Sequence, residues 1–158
     1  MSKKSKKDDD SEQLMFDAPD RLLLDSLILT HDAVVTAFQE LLRGYDISYT
    51  QFCVLSVLDE VRDEGMRTQR LGARLLTRVP DITRLVDRLV KAGFVERKRS
   101  HEDKRVVFVA ITQTGSELLN EIKEPAKELQ SGLFTHLSQN KQAQLNQLLH
   151  ELRDGTQQ

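Results

Sequence analysis

Residues 68–105, TQRLGARLLTRVPDITRLVDRLVKAGFVERKRSHEDKR, contain the pattern that decides the fold. The stretch reads as two short helices, a glycine turn and a β-prone run, and it leads through a charged tip into a second β-prone run, VVFVAI. This is the element order of a winged helix-turn-helix. From Arg67 to Arg105 there are 12 Lys or Arg against 5 Asp or Glu, a net charge of +7, so the remaining residues carry −9 within an overall charge of −2. Positive charge concentrated on one face lets a mildly acidic protein bind nucleic acid, because phosphate neutralisation is local.

The composition indicates a globular, helix-rich protein, with 39% hydrophobic and 30% charged residues in 158. No uninterrupted apolar run approaches the roughly 18 residues of a membrane span, and the N-terminus lacks the apolar centre of a signal peptide, which favours the cytoplasm. The single cysteine, Cys53, excludes an intramolecular disulfide and a Cys-rich zinc site. We interpret Cys53 as a small buried side chain. The alternative, a redox sensor, requires exposure and a lowered pKa.

Two regions are expected along the chain. Residues 1–17 form a disordered polar tail, in which four lysines precede Asp8, Asp9 and Asp10. A basic arm that reaches DNA is the alternative interpretation of this tail. Residues 18–155 form the folded domain, with a DNA-binding lobe at 48–112 between two helical segments at 18–44 and 113–155.

Helical periodicity predicts four helices before the wing. They run from Pro19 to about Arg43, from Ser48 or Tyr49 to near Glu64, from Gln69 to Leu76, and from Pro80 to about Ala92. Gly44, Gly65 and Gly93 are the expected stops, and Thr68 is the expected N-cap of the third helix. Gly72 lies inside that helix at a cost of roughly 1 kcal/mol relative to Ala, which predicts a closely packed neighbouring helix.

The wing and two further helices follow. Strands are expected at Phe94 to Arg99 and Val106 to Ile111, joined by the charged tip at residues 100–104. Thr112 or Thr114 caps the next helix, in which Pro125 predicts a kink or a break. The last helix begins at Ser138 and ends at Gly155.

The basic residues of this module are candidates for DNA contact. The second helix of a helix-turn-helix enters the major groove with its N-terminal residues leading. This geometry directs Arg78, Asp81, Thr83 and Arg84 to base edges and Arg88 to the backbone. The wing residues Arg97, Lys98, Arg99, Lys104 and Arg105 could lie along a minor groove. The alternative is that the helix charges only solvate an amphipathic surface.

These residues resemble the MarR (multiple antibiotic resistance regulator) family. The resemblance rests on TRLVDRL at 83–89, GFVER at 93–97, the D-x-R wing motif at 103–105 and ITQTG at 111–115. It implies a homodimeric winged-helix transcription regulator that binds a pseudo-palindromic operator. Family members commonly have a Ser-Pro pair one residue earlier in the turn before the recognition helix, where this chain has Thr77, Arg78, Val79 and Pro80.

The resemblance also implies roles for individual residues. Thr83 and Arg84, with the turn at Thr77 and Arg78, go to the major groove. Asp103 and Arg105 are assigned to the DNA contact of the wing. Thr68 and Gln69, at the start of the preceding helix, are assigned to contacts with phosphates. A small aromatic or carboxylic effector is a further partner that the resemblance implies.

The helices before and after the basic module carry more apolar surface than that module can cover, which predicts a dimer. A palindromic operator also requires two DNA-binding modules about one DNA turn apart. Intramolecular packing of these faces is the alternative. The candidate interface consists of Leu23, Leu27, Phe134, Leu137, Leu145, Leu148, Leu149 and Leu152.

The leading hypothesis is therefore a DNA-binding transcriptional regulator, a homodimeric repressor. A winged-helix module that docks an acidic protein partner is the alternative. An enzyme is disfavoured, since no paired carboxylates or activated nucleophile are evident. No cofactor or metal is expected, because the four histidines His31, His101, His136 and His150 do not reproduce a ligand set.

Overall fold

The computed structural model describes residues 19–61, 64–75, 79–99 and 106–156. The helices are α1 (Pro19–Leu42), α2 (Tyr49–Asp59), α3 (Thr68–Arg74), α4 (Ile82–Lys91), α5 (Gln113–Leu133) and α6 (Gln139–Gly155), with a 3-10 turn at Arg43–Tyr45. Two antiparallel strands, β1 (Val95–Arg99) and β2 (Val107–Ile111), form the wing. The predicted class, mainly helical with a small β-wing, is confirmed. The expected polar tail and wing tip lie outside the described residues.

The chain divides into two compact units, residues 1–37 and 38–158. The described part of the first unit is a stretch of α1 whose large apolar side chains, from Leu22 to Leu29, are mostly exposed. Within Asp20–Tyr45, one 18-residue window is apolar enough to cross a membrane, by length and composition alone. Helix α1 thus passes a test of length and composition for a membrane span, although it contains no uninterrupted apolar run of that length. It also carries Asp25 and Asp32, and an intramembrane carboxylate is costly, so the pattern fits an amphipathic helix better than a membrane span.

The second unit has a leucine-rich core. Helical spacing places one apolar face of α2, α3, α4 and the first half of α5 in a common core with the wing strands. The largest fully buried side chains are Leu42, Leu55, Leu58, Leu71, Leu89, Leu119 and Ile122, with Val54, Val86, Val95 and Val109. This core fixes the position of α4 relative to the wing.

Helix α2 begins where the sequence predicts and ends earlier. Ser48 Oγ accepts a hydrogen bond from Gln51 N at 3.2 Å, and Gln51 Oε1 accepts one from Ser48 N at 2.8 Å, which is a capping box. The predicted end near Glu64 is wrong, since the helix ends at Asp59. Met66 pairs with Val109 of β2 through two backbone hydrogen bonds of 2.9 and 2.8 Å. Helix α2 ends before Glu64 because the next residues have to position Met66 for this bridge. Gly65, with φ 61°, lies directly before the bridge and is not the residue that ends the helix.

Helices α3 and α4 also begin at different residues from those predicted. Thr68 is the first residue of α3, and Arg67 occupies the N-cap position without a side-chain hydrogen bond. Helix α4 begins at Ile82 with Asp81 as its N-cap, so Pro80 precedes the helix. Asp81 supplies the cap because its carboxylate satisfies an amide donor in the first turn.

The ends of α1 and the interior of α5 show two further corrections. The left-handed residue after α1 is Asp46, with φ 54°, and not Gly44. Helix α5 continues through Pro125 without the predicted break. Proline removes the amide that would bond to the Glu121 carbonyl. The Tyr45 hydroxyl donates a long hydrogen bond to that carbonyl at 3.5 Å and supplies the missing partner.

Candidate nucleic-acid interface

Helix α4 has two chemically distinct faces. Leu85, Val86 and Leu89 are buried in the core. The opposite face is exposed and carries long polar side chains, namely Thr83, Arg84, Asp87, Arg88 and Lys91. Because the apolar face is held by the core, the basic face of α4 is directed to the outside of the second unit.

The N-terminus of α4 is organised around Asp81 and Arg84. Asp81 Oδ1 accepts a hydrogen bond from Arg84 N at 2.9 Å. Its other oxygen, Oδ2, lies 3.1 Å from Arg84 Nε. The Arg84 side chain is nevertheless 83% exposed, so its terminal nitrogens face outwards at the leading end of the helix.

Helix α3 packs against the start of α4. A Cβ atom at Gly72 would lie 3.8 Å from the nearest side-chain atoms of Ile82, so the neighbouring helix expected at Gly72 is α4. That distance is ordinary van der Waals contact, and it does not require glycine. Gln69 on α3 is exposed, and Thr68 is half-buried. Arg74 at the end of α3 pairs with Glu60, which fixes α3 to the end of α2.

Three residues separate the end of α4 from the first residue of β1. Gly93, with φ 78°, allows a reversal in which Phe94 N donates to Leu89 O and Gly93 N donates to Val90 O, both at 3.0 Å. Strand β1 then pairs with β2 in a register that sets Val95 opposite Ile111. This tight reversal brings β1 next to α4.

An ion pair joins α4 to the wing. Arg97 Nη2 of β1 donates to Asp87 Oδ1 of α4 at 2.6 Å. In the same strand, Lys98 Nζ lies 3.1 Å from Glu96 Oε1, and the Arg99 side chain is exposed. The exposed cations of α4 and those of β1 therefore belong to one connected part of the surface.

Thr112 fixes the other end of the wing. Its hydroxyl donates to Gly93 O at 2.7 Å and accepts from Gly115 N at 3.0 Å, while its amide donates to Phe94 O at 3.0 Å. The same side chain thus caps α5 and holds the turn between α4 and β1. Of the two predicted caps, Thr112 is the one used.

Only some of the predicted contact residues lie in the part of the chain that the structure describes. Those within the described part of the chain are Thr68, Gln69, Asp81, Thr83, Arg84, Arg88, Arg97 and Arg99. Those outside it are Thr77, Arg78, Asp103, Lys104 and Arg105. The sequence did not reveal the connection of Asp87 to Arg97, since the two residues lie on different elements and no spacing rule links them. It also left out Arg70, an exposed cation on α3.

Cys53 does not have the environment of a reactive thiol. It is half-buried in α2, one turn after Tyr49. Burial raises the pKa of the Cys53 thiol, although a hydrogen bond with the Tyr49 side chain acts in the opposite direction. A protonated thiol is a weak nucleophile, which supports the interpretation of Cys53 as a packing residue. Among the described residues, no group of His, Cys, Asp and Glu could hold a metal ion.

The known proteins whose sequences are similar to this chain are transcriptional regulators. The family described as "Transcriptional regulator SarA/Rot" matches residues 36–122, more than half of the chain. Transcriptional repressor MprA of Escherichia coli K12 is 28% identical over 113 residues, which cover 72% of this chain and 64% of the repressor. HTH-type transcriptional regulator FarR of Neisseria gonorrhoeae is 30% identical over 126 residues, which cover 80% of this chain and 85% of FarR.

Solved structures agree with the sequence matches. A mutant of MarR from Escherichia coli, crystallised in complex with operator DNA, is similar to this chain with a TM-score of 0.74 at 27% identity. The match covers 82% of this chain and 92% of that one. A MarR-like regulator from Bacillus cereus has a TM-score of 0.76 at 19% identity, which shows a shared fold. The chain therefore belongs to the SarA/Rot family of transcriptional regulators, which has the MarR-type winged-helix fold.

Proposed function

We propose that this chain is a sequence-specific DNA-binding repressor, which acts in the cytoplasm as a homodimer on a pseudo-palindromic operator. The observation that carries the proposal is the connected basic surface of α4 and β1, joined through Asp87 and Arg97 at 2.6 Å. A recognition helix and a wing that contact one duplex have to keep a fixed relative position, and this pair supplies a direct link between them.

In the proposed complex α4 enters the major groove with its N-terminus leading. Arg84 reads a guanine through paired donors, and Thr83 donates to a phosphate or contacts a thymine methyl group. Arg88 and Lys91, further along the exposed face, neutralise phosphates at the groove edge. The wing follows the backbone beside that groove, and the residues at its tip reach the minor groove.

Two copies are needed to read a palindrome. The half-sites of such operators lie about 34–36 Å apart, so two recognition helices have to be held at that spacing. Helix α6 exposes Leu145, Leu148, Leu149 and Leu152, and Phe134 after α5 is also exposed. Leu23 and Leu27 of α1 are exposed as well, and Leu137 is half-buried. Exposed apolar side chains that follow one face of a helix, as the α6 leucines do, are typical of a surface that a second copy covers.

The proposal includes a small aromatic or carboxylic effector that lowers operator affinity, an expectation that rests on the family resemblance. Titration of benzoate into the protein–operator complex tests this part by itself. We expect the DNA to be released at millimolar benzoate. Unchanged operator affinity would remove this effector class from the proposal and leave DNA recognition as proposed.

The DNA-binding proposal is tested by selecting duplexes from a random library with the full chain and measuring affinity for the enriched sequence over a range of salt. We expect a palindrome to be enriched, with affinity that falls steeply with salt, by about 0.9 logarithmic units per neutralised phosphate. Arg84→Ala should reduce affinity for the enriched duplex by about tenfold or more, since a bidentate base contact is worth about 1–3 kcal/mol. Lys127→Ala, which removes an exposed positive charge from α5, is the matched control and should have little effect.

The contrary outcome identifies the alternative function. If no duplex is enriched and polyglutamate competes for the basic surface as well as DNA does, the chain is a protein-interaction module that docks an acidic partner. Equal loss of affinity in Arg84→Ala and Lys127→Ala would also argue against a recognition helix, because it would mean that only the total charge matters.

A further inference from the structure

We infer that Asp81 sets operator specificity by positioning Arg84, without itself contacting DNA. The inference rests on the proposed function, in which Arg84 reads a base. From the sequence alone, Asp81 is predicted to contact base edges. In the structure both of its carboxylate oxygens contact Arg84, which indicates an indirect role.

Asp81 and Arg84 are joined at two points. One oxygen of Asp81 accepts from the Arg84 backbone amide at 2.9 Å, and the other lies 3.1 Å from Arg84 Nε. The helix cap and the side-chain contact therefore share one carboxylate, and its position is fixed by the first turn of α4. Because Nε is the nitrogen engaged, the two terminal nitrogens of the guanidinium stay available for the acceptors of a guanine.

The N-cap stabilises α4, but stability does not account for the additional contact between the Asp81 and Arg84 side chains. The side chains of Arg84 and Asp81 are 83% and 50% exposed, and ion pairs with such exposure add little to folding stability. Pre-ordering a long, flexible side chain lowers the conformational entropy that it loses on binding. The pair therefore has its main effect at the moment when Arg84 meets a base.

The charge of Asp81 acts in the same direction. A carboxylate at the leading end of α4 repels the phosphates of any duplex, so it weakens non-specific binding. On the enriched operator this repulsion is offset by the better-positioned Arg84. Both effects raise the ratio of operator affinity to non-specific affinity, and that ratio determines how well a regulator finds its site.

The test separates the cap from the contact with Arg84. Asp81→Ser and Asp81→Asn retain an N-cap, because Ser, Asn and Asp cap helices about equally well, but neither keeps a charged acceptor for Arg84 Nε. Each variant is measured by thermal unfolding and by affinity for the enriched duplex, for an unrelated duplex, and for duplexes with single base-pair changes. The same changes are then made in an Arg84→Ala background.

We expect both single variants to unfold near the wild-type temperature and to lose about tenfold in the ratio of operator to non-specific affinity. The loss should fall at the base pair whose identity no longer matters in Arg84→Ala. In the Arg84→Ala background, replacing Asp81 should cause no further loss of discrimination at that base pair. Arg84→Lys is a further control, because lysine keeps the positive charge but has no Nε donor for Asp81. In this background too, replacing Asp81 should leave discrimination at that base pair unchanged.

Two outcomes would overturn the inference alone. One is a loss of discrimination in Asp81→Ser that persists in the Arg84→Ala background, which would mean that Asp81 contacts a base itself. The other is an unchanged specificity ratio in both single variants that remain folded. Failure of the wild-type chain to enrich any duplex is a different result, which would overturn the proposed DNA-binding function together with this inference.

Discussion

Gly115 lies where the first turn of α5 meets the start of the wing, and the space around it is closed. A Cβ atom at this position would lie 2.2 Å from the Phe94 carbonyl oxygen and 2.9 Å from Ile111 Cγ1. The Phe94 carbonyl cannot easily move, because it accepts the hydrogen bond from Thr112 N. Gly72 is different, since a Cβ atom there would meet only the Ile82 side chain at 3.8 Å.

We therefore expect opposite effects from the same substitution at these two glycines. Gly115→Ala should lower the free energy of unfolding by about 1–3 kcal/mol, the usual range for overpacking. Gly72→Ala should be neutral or raise it by up to about 1 kcal/mol, because alanine loses less backbone entropy in a helix. Urea unfolding of both variants measures the two effects. Comparable destabilisation by both changes would show that the packing around one of these sites differs from that described.

The contrast also shows what the sequence could indicate about single residues. A glycine inside a helix is costly, so Gly72 predicts close packing at that position. The neighbouring Ile82 side chain nevertheless leaves room for a methyl group. The need for glycine at Gly115 arises from a carbonyl in another element, which no local pattern reveals. Asp81 is a similar case, since a helix cap can be guessed from its residue type but the contact with the Arg84 side chain cannot.

At the scale of elements, the basic residues of the wing strand are not equivalent. Arg97 is bound to Asp87 of α4 at 2.6 Å, so its charge is already compensated within the protein. Arg99, on the same face of the strand two residues later, is exposed. We infer that Arg97 is used to hold the wing against α4 and that Arg99 is the better candidate for a phosphate contact.

This difference predicts distinct results for two matched variants. Arg99→Gln should reduce the slope of log affinity against log salt by about 1, as expected for one lost phosphate contact. Arg97→Gln should change that slope little, and it should lower the unfolding temperature slightly because the link to Asp87 is lost. Affinity titrations at several salt concentrations, together with thermal unfolding, distinguish the two. Equal slope changes in both variants would assign Arg97 to the DNA as well.

Most elements were predictable from the sequence, whereas several of their ends were not. Apolar periodicity marks one face of an amphipathic helix or strand, so the six α-helices and two strands that the structure describes were expected near their observed positions. The ends depend on partners elsewhere in the fold. Helix α2 stops early because Met66 pairs with Val109, and α5 passes through Pro125 where the Tyr45 hydroxyl reaches the Glu121 carbonyl.

At the scale of the whole molecule, the basic module with a net charge of +7 is attached to remaining sequence with a net charge of −9. Placing charge in this way directs DNA to one surface and keeps it from the others. Helix α6 belongs to the acidic remainder and has a leucine face that is exposed in the single chain. In the proposed dimer this face is covered by a second copy, and DNA affinity depends on that contact although no leucine touches DNA.

Two double variants of α6 test this dependence with the same change in charge. Leu148→Glu with Leu152→Glu places two carboxylates four residues apart on the leucine face, where the side chains are 54% and 49% exposed. Ala143→Glu with Gln147→Glu places two carboxylates at the same spacing on the opposite face of the helix. We expect the first variant to be a monomer at micromolar concentration in analytical ultracentrifugation and to lose at least about a hundredfold in operator affinity, since each lobe then binds its half-site alone. The second variant should stay dimeric and bind normally.

Two outcomes would contradict this expectation. A leucine-face variant that is still dimeric and binds the operator would place the interface elsewhere in the chain. Equal monomerisation of both variants would indicate that two added charges disrupt α6 itself.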